Sequence, residues 1–99
     1  MPRKAHDNEE IAVFKALADE SRLKIISILL VKDSYTEYLA SKLNLTAATI
    51  AYHMDKLEKS GVVFSTRIQH YVIYSINREM MNRSVGEFIQ SIIKYDDSK

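Results

Sequence analysis

The chain has 99 residues, 46% of them hydrophobic and 27% charged, a formal net charge of +1 and no cysteine. That length fits one domain with a modest core, and the missing thiols exclude disulfides, thiolate metal sites and cysteine catalysis. The longest apolar run, residues 25–31, is broken by Ser27 and too short to span a bilayer, and residues 1–7 lack the apolar stretch of a secretion signal, so no membrane partner is expected and a cytoplasmic location is the default.

With only 2 glycines and 1 proline, most of the chain should be regular structure. Residues 1–7 read as a polar arm. Asn8 is a candidate cap for a helix over 8–18, where Ile11, Phe14, Leu17 and Ala18 recur at helical spacing. Asp19 can cap a second helix, with Leu23, Ile26, Leu29 and Leu30 as its apolar stripe. Lys32-Asp33-Ser34 ends that helix. Ser34-Tyr35-Thr36-Glu37 then has the form of a capping box, opening a short third helix whose buried ridge is Leu39 and Leu43.

Asn44 follows at a point where the chain must leave the helix and turn, which favours the left-handed backbone that asparagine tolerates. Leu45 can plug this corner. Thr46 is a candidate N-cap for a fourth helix reaching residue 60, with Ile50, Met54 and Leu57 facing inward. Gly61 sits where a left-handed C-terminal cap belongs. Helix, tight turn and capped helix over residues 36–60 have the spacing of a helix-turn-helix unit.

After Gly61 the apolar period changes to two. Residues 62–67 and 71–76 are rich in β-branched and aromatic side chains and predict a hairpin whose tip is Ile68-Gln69-His70, with Val72, Tyr74 and Ile76 on one face. Asn77 can cap a last helix over 78–95, on which Met81, Val85, Phe88, Ile89, Ile92 and Ile93 form a broad apolar face. The expected fold class is mostly α with a small β-hairpin (α+β), in the order α-α-α-α-β-β-α, as one domain over residues 1–99.

Three segments in this order resemble the ArsR type of winged helix-turn-helix repressor. They are Ala16-Leu17-Ala18-Asp19-Glu20-Ser21-Arg22-Leu23, then Leu39-Ala40 with Leu43-Asn44-Leu45-Thr46, then Ile50-Ala51-Tyr52-His53-Met54 with Leu57 and Gly61-Val62-Val63. The resemblance spans about residues 11–77. It implies a dimer held by helices near each terminus, with the fourth helix of each subunit in a major groove of DNA. Metal-sensing members carry thiols at the third helix, or Asp and His on the last. Here residues 34–39 hold no thiol and residues 78–94 no His or Asp, leaving Glu79 and Glu87. No metal or other cofactor is expected, and the effector stays unassigned.

On such a reading head, Thr46, Ala47, Thr49, Tyr52 and His53 are candidates for base or backbone contact, and Lys56 and Lys59 for phosphate. Arg67 and His70 flank the wing tip. Between Lys56 and Arg83 five basic residues face two acidic ones, so a modestly basic face is expected despite the near-neutral total. The expected dimer interface combines Ile11, Phe14 and Leu17 with Phe88, Ile89 and Ile92, whose apolar surface exceeds the needs of so small a core. Doubling the head would give a palindromic double-stranded DNA site.

Plain structural roles stand beside these. Tyr52 can cover the hairpin, His53 can bond within the protein, and the lysines can form a solvated face. Tyr35, Tyr38, Tyr71 and Tyr95 can pack or line a ligand cavity, packing being the commoner role of aromatics at such positions. A winged helix serving as a protein-interaction module is the alternative to a DNA-binding repressor, and near-neutral charge favours it. An enzyme is not expected, since His53 and Asp55, two apart on a helix, diverge.

Overall fold

The computed structural model describes residues 8–97, with side chains described through residue 90. The polar arm at 1–7 and the side chains of Ile92, Ile93 and Tyr95 lie outside that range. The order is α1 (Asn8–Leu17), α2 (Glu20–Val31), β1 (Ser34–Tyr35), α3 (Thr36–Leu43), α4 (Ala47–Ser60), β2 (Val63–Ile68), β3 (Tyr71–Ile76) and α5 (Arg78–Asp97). The expected elements are all present, and β1 is added to them.

Asp19 caps α2 in an extended conformation, its carboxylate accepting from the Arg22 backbone N–H at 3.0 Å. The buried side chains of α2 are Ile25, Ile26 and Leu29, while Leu23 and Leu30 are exposed. The expected stripe therefore holds at Ile26 and Leu29 and is wrong at its ends. Apolar residues lie on nearly every side of α2, so their pattern does not fix its rotation. Packing against α1, α3, α4 and β3 does.

The expected capping box does not form. Ser34 and Tyr35 instead pair with Tyr74 and Ile73 of β3, making a three-stranded antiparallel sheet of order β1-β3-β2. The Ser34 hydroxyl donates to the Lys32 carbonyl at 3.0 Å, and Tyr35 occupies the cap position of α3 without a side-chain bond. Here sheet pairing sets the direction of the backbone that a serine cap would otherwise have set.

Asn44 adopts the left-handed conformation, φ 55° and ψ 46°, and the Leu45 N–H reaches back to the Ala40 carbonyl at 2.9 Å. Gly61 does the same for α4 at φ 88°. Strand β2 runs to Ile68, so the hairpin tip is only Gln69 and His70, with Gln69 taking the positive φ of 55°. Asn77 joins two helices: its Nδ2 donates to the Gly61 carbonyl at 2.9 Å, and its Oδ1 accepts from the Met80 N–H at 3.1 Å. Ile50, Met54 and Leu57 of α4 are fully buried and meet Val13, Ile25, Leu39 and Val62 in the core. Burying such side chains against water stabilises by roughly 1.5–3 kcal/mol each.

Candidate nucleic-acid interface

Helix α4 is amphipathic in the sense a reading head requires. Its core stripe is anchored, and Ala47, Ala48, Ala51, Tyr52, Asp55 and Lys56 are exposed on the other side. Three alanines leave the backbone open to close approach, and Tyr52, 57% exposed, stands above them. The first turn carries no acidic residue, so the positive end of the helix dipole is unopposed and suits a phosphate. The Thr46 hydroxyl accepts from the Thr49 N–H at 3.1 Å and donates to the Thr49 hydroxyl at 2.9 Å. Thr49 can still donate its own hydroxyl proton outward, whereas Thr46 has its proton engaged.

His53 lies on the inward side, 8% exposed, which corrects its place among the base readers. Arg22 Nη1 is 3.3 Å from His53 Nδ1, and Asp19 Oδ1 is 3.9 Å from the same nitrogen. Guanidinium can only donate, so in this contact Nδ1 is the acceptor. Arg22 also donates through Nε to the Ala16 carbonyl. One arginine thus ties the end of α1 and the start of α2 to the middle of α4. Sequence reasoning missed this role. Its nearest signal was the Asp19–Arg22 spacing, but the partner on α4 is 31 residues away and leaves no local trace.

The expected basic face is thinner than its residue count. Lys59 pairs with Asp55 at 2.9 Å, Arg78 donates to the Leu30 carbonyl at 3.0 Å, and Arg83 pairs with Glu9 at 2.8 Å. Glu58 accepts from the Ser65 hydroxyl at 2.9 Å. Lys56 lies over the Tyr52 ring, 5.3 Å from its centroid, where both remain open to solvent. Arg67 and His70 are exposed on the wing, and Arg67 has no ion pair among the described residues. Lys56 and Arg67 are thus the cations from that run left for phosphate.

Between α1 and α5, Phe14 and Phe88 pack with ring centroids 4.7 Å apart. A shallow, almost wholly apolar groove of about 610 Å³ lies beside them, lined by Ile11, Leu17 and Ala18 as well. Ile11 and Ile89 are 41% and 49% exposed. Four of the five described residues expected at a dimer interface, Ile11, Phe14, Leu17 and Phe88, therefore line one groove of α1 and α5, and Ile89 is exposed on α5.

A capped helix-turn-helix followed by a two-stranded wing and flanked by terminal helices defines the winged helix-turn-helix class of DNA-binding domains. The sequence pattern of bacterial regulatory proteins of the ArsR family matches residues 19–65. The HTH-type transcriptional regulator CmtR of Mycobacterium tuberculosis is 32% identical over 82 residues, 83% of this chain and 70% of that protein. The chain belongs to the ArsR family of transcriptional regulators, which are not enzymes. The transcriptional repressor SdpR of Bacillus subtilis is 28% identical over 85 residues, covering 86% of this chain and 94% of its own. The homodimeric winged helix-turn-helix DNA-binding domain Mb0332 of Mycobacterium bovis superposes with a TM-score of 0.72 at 22% identity, over 88% of this chain and 80% of its own. Among the described residues no helix is long and apolar enough to cross a membrane.

Proposed function

We propose that the chain is a cytoplasmic repressor that binds a palindromic operator as a homodimer, with α4 of each subunit in a major groove. The outward face of α4 carries this reading: small side chains around an exposed Tyr52, an unopposed helix N-terminus and Lys56 at the flank. Ala47, Ala48 and Ala51 allow contact with thymine methyls, while Thr49 and Tyr52 supply hydrogen bonds to base edges or phosphate. Thr46 holds the first turn in place. Lys56, Arg67 and His70 are assigned to the backbone. SdpR, similar in length and carrying the word repressor in its name, supports the direction of regulation, and Mb0332 supports the dimer.

Selection of bound fragments from genomic DNA tests this reading. The expected product is a two-fold symmetric site whose half-sites lie about 34–36 Å apart or at a multiple of that. Affinity should fall steeply with salt, and Lys56→Ala should weaken all DNA alike and lower the salt slope by about 1. Absence of any retained fragment at low salt would overturn it. The second reading, a protein-interaction module, draws on the wing: Phe64, Ile68 and Tyr71 are all about half exposed on one face of the β2–β3 hairpin.

A further inference from the structure

A second concave site lies away from α4. The end of α2, strand β1 and the outer side of α3 enclose a cleft of about 450 Å³. That is within the range of about 300–1,000 Å³ typical of small-molecule sites. Its walls are apolar or aromatic: Ile28 and Val31 from α2, Tyr35 from β1 and Tyr38 from α3. Val31 is 88% exposed, and both tyrosines are more than 40% exposed. An occupant would remove this apolar surface from water.

The aromatic wall is braced. Tyr35 meets Tyr38 at 6.4 Å between ring centroids and Tyr71 of β3 at 5.5 Å, edge to face. Three rings in contact restrain one another, so less ordering is left to occur on binding. The sheet register that displaced the capping box also holds Tyr35 opposite Ile73.

The polar groups of the cleft are unbalanced toward donors. The Ser27 and Ser34 hydroxyls already donate to the carbonyls of Leu23 and Lys32, both at 3.0 Å. The ammonium groups of Lys32 and Lys42 and the phenols of Tyr35 and Tyr38 have no hydrogen-bond or ion-pair partner among the described residues. Asp33 is the one acidic residue at the site, set against two lysines. Two free cations and two free phenols around an apolar floor call for a ligand with an apolar body and an anionic, acceptor-rich end.

We infer that this cleft binds a small amphipathic organic anion, its apolar body against Ile28, Val31 and the Tyr35–Tyr38 wall and its carboxylate between Lys32 and Lys42. The site shares α3 with the helix-turn-helix unit, so an occupant bears on the element one tight turn ahead of α4. Ligand binding itself does not depend on the DNA reading.

The test is an NMR titration of the full chain with 4-phenylbutyrate, following the assigned ring signals of Tyr35 and Tyr38. The neutral 4-phenylbutyramide and the cationic 4-phenylbutylamine serve as matched probes. The acid should produce saturable shifts at both rings in the millimolar range or below. The amide should bind about fivefold more weakly, the scale of one partly exposed ion pair, and the amine more weakly still. Lys32→Gln with Lys42→Gln should erase the preference for acid over amide, and Tyr38→Ala should abolish saturation, both with unchanged melting. Lys15→Gln, beside the Phe14 groove, should change nothing. The inference is overturned by equal binding of acid, amide and amine, by shifts centred on Phe14 and Phe88, or by no saturable shift at Tyr35 and Tyr38. No readout involves DNA, so failure here and failure of the repressor reading are separable.

Discussion

Asp19 joins helix capping to the placement of α4. Hydrogen bonding from the Arg22 N–H holds its carboxyl below the ordinary range, with the Arg22 guanidinium and His53 acting in the same direction and partial burial opposing. A carboxyl with a lowered folded pKa contributes stability above the unfolded value, and loses it as pH falls through the folded one. Asp19→Ala should therefore cost about 1 kcal/mol at neutral pH. The difference from the parent should shrink below about pH 4, as urea unfolding at both pH values would register. Neighbouring residues on α4 should behave differently from each other. Tyr52→Ala should alter sequence preference with little change in melting, because the ring is exposed. His53→Ala should lower melting and weaken every DNA sequence together, since it leaves Arg22 without a partner on α4. Equal effects of both substitutions on sequence preference would refute this separation. The sequence shows both side chains on a reading helix. The period places His53 inward, three residues after Ile50 and four before Leu57. What it cannot report is the partner that meets it there, an arginine two helices away.

At the scale of elements, the caps were the most legible features. Asn44, Thr46, Gly61 and Asn77 each act through bonds to residues within a few positions, so local chemistry names them correctly. Asn44 offers a direct check. Glycine there should be tolerated, while Asn44→Val should cost about 1–2 kcal/mol, because a branched Cβ clashes in the left-handed region. Chemical unfolding of the two variants would show the contrast. Strand β1 was illegible for the opposite reason. Two residues carry no period, and their pairing partner lies 38–40 positions downstream. The rotation of α2 was hidden because nearly all its faces are apolar. The basic face was overcounted because three of its five cations find partners, two of them on α1 and α2, that are visible only once the helices pack.

For the whole molecule, the exposed isoleucines of α1 and α5 provide a test that leaves the core intact. Ile11→Glu with Ile89→Glu should shift sedimentation toward the monomer and lower operator affinity, with helix content unchanged. A parent chain that is already monomeric at micromolar concentration would remove the dimer from the proposal. Asn77 gives the α5 surface and the reading helix a mechanical relation. It grips the carbonyl of Gly61, the cap of the reading helix, with one end of its amide and starts α5 with the other. Asn77→Asp keeps the cap and turns the grip into repulsion, so the two duties can be separated by one atom exchange. Helix α4 has 14 residues and so spans about 21 Å. Over that arm, a pivot of ~9° at its Asn77 end would carry its N-terminus about 3.4 Å, the rise of a single base step. In a paired protein such a pivot would work as a vernier, moving the two heads out of phase with their half-sites while each helix keeps its shape.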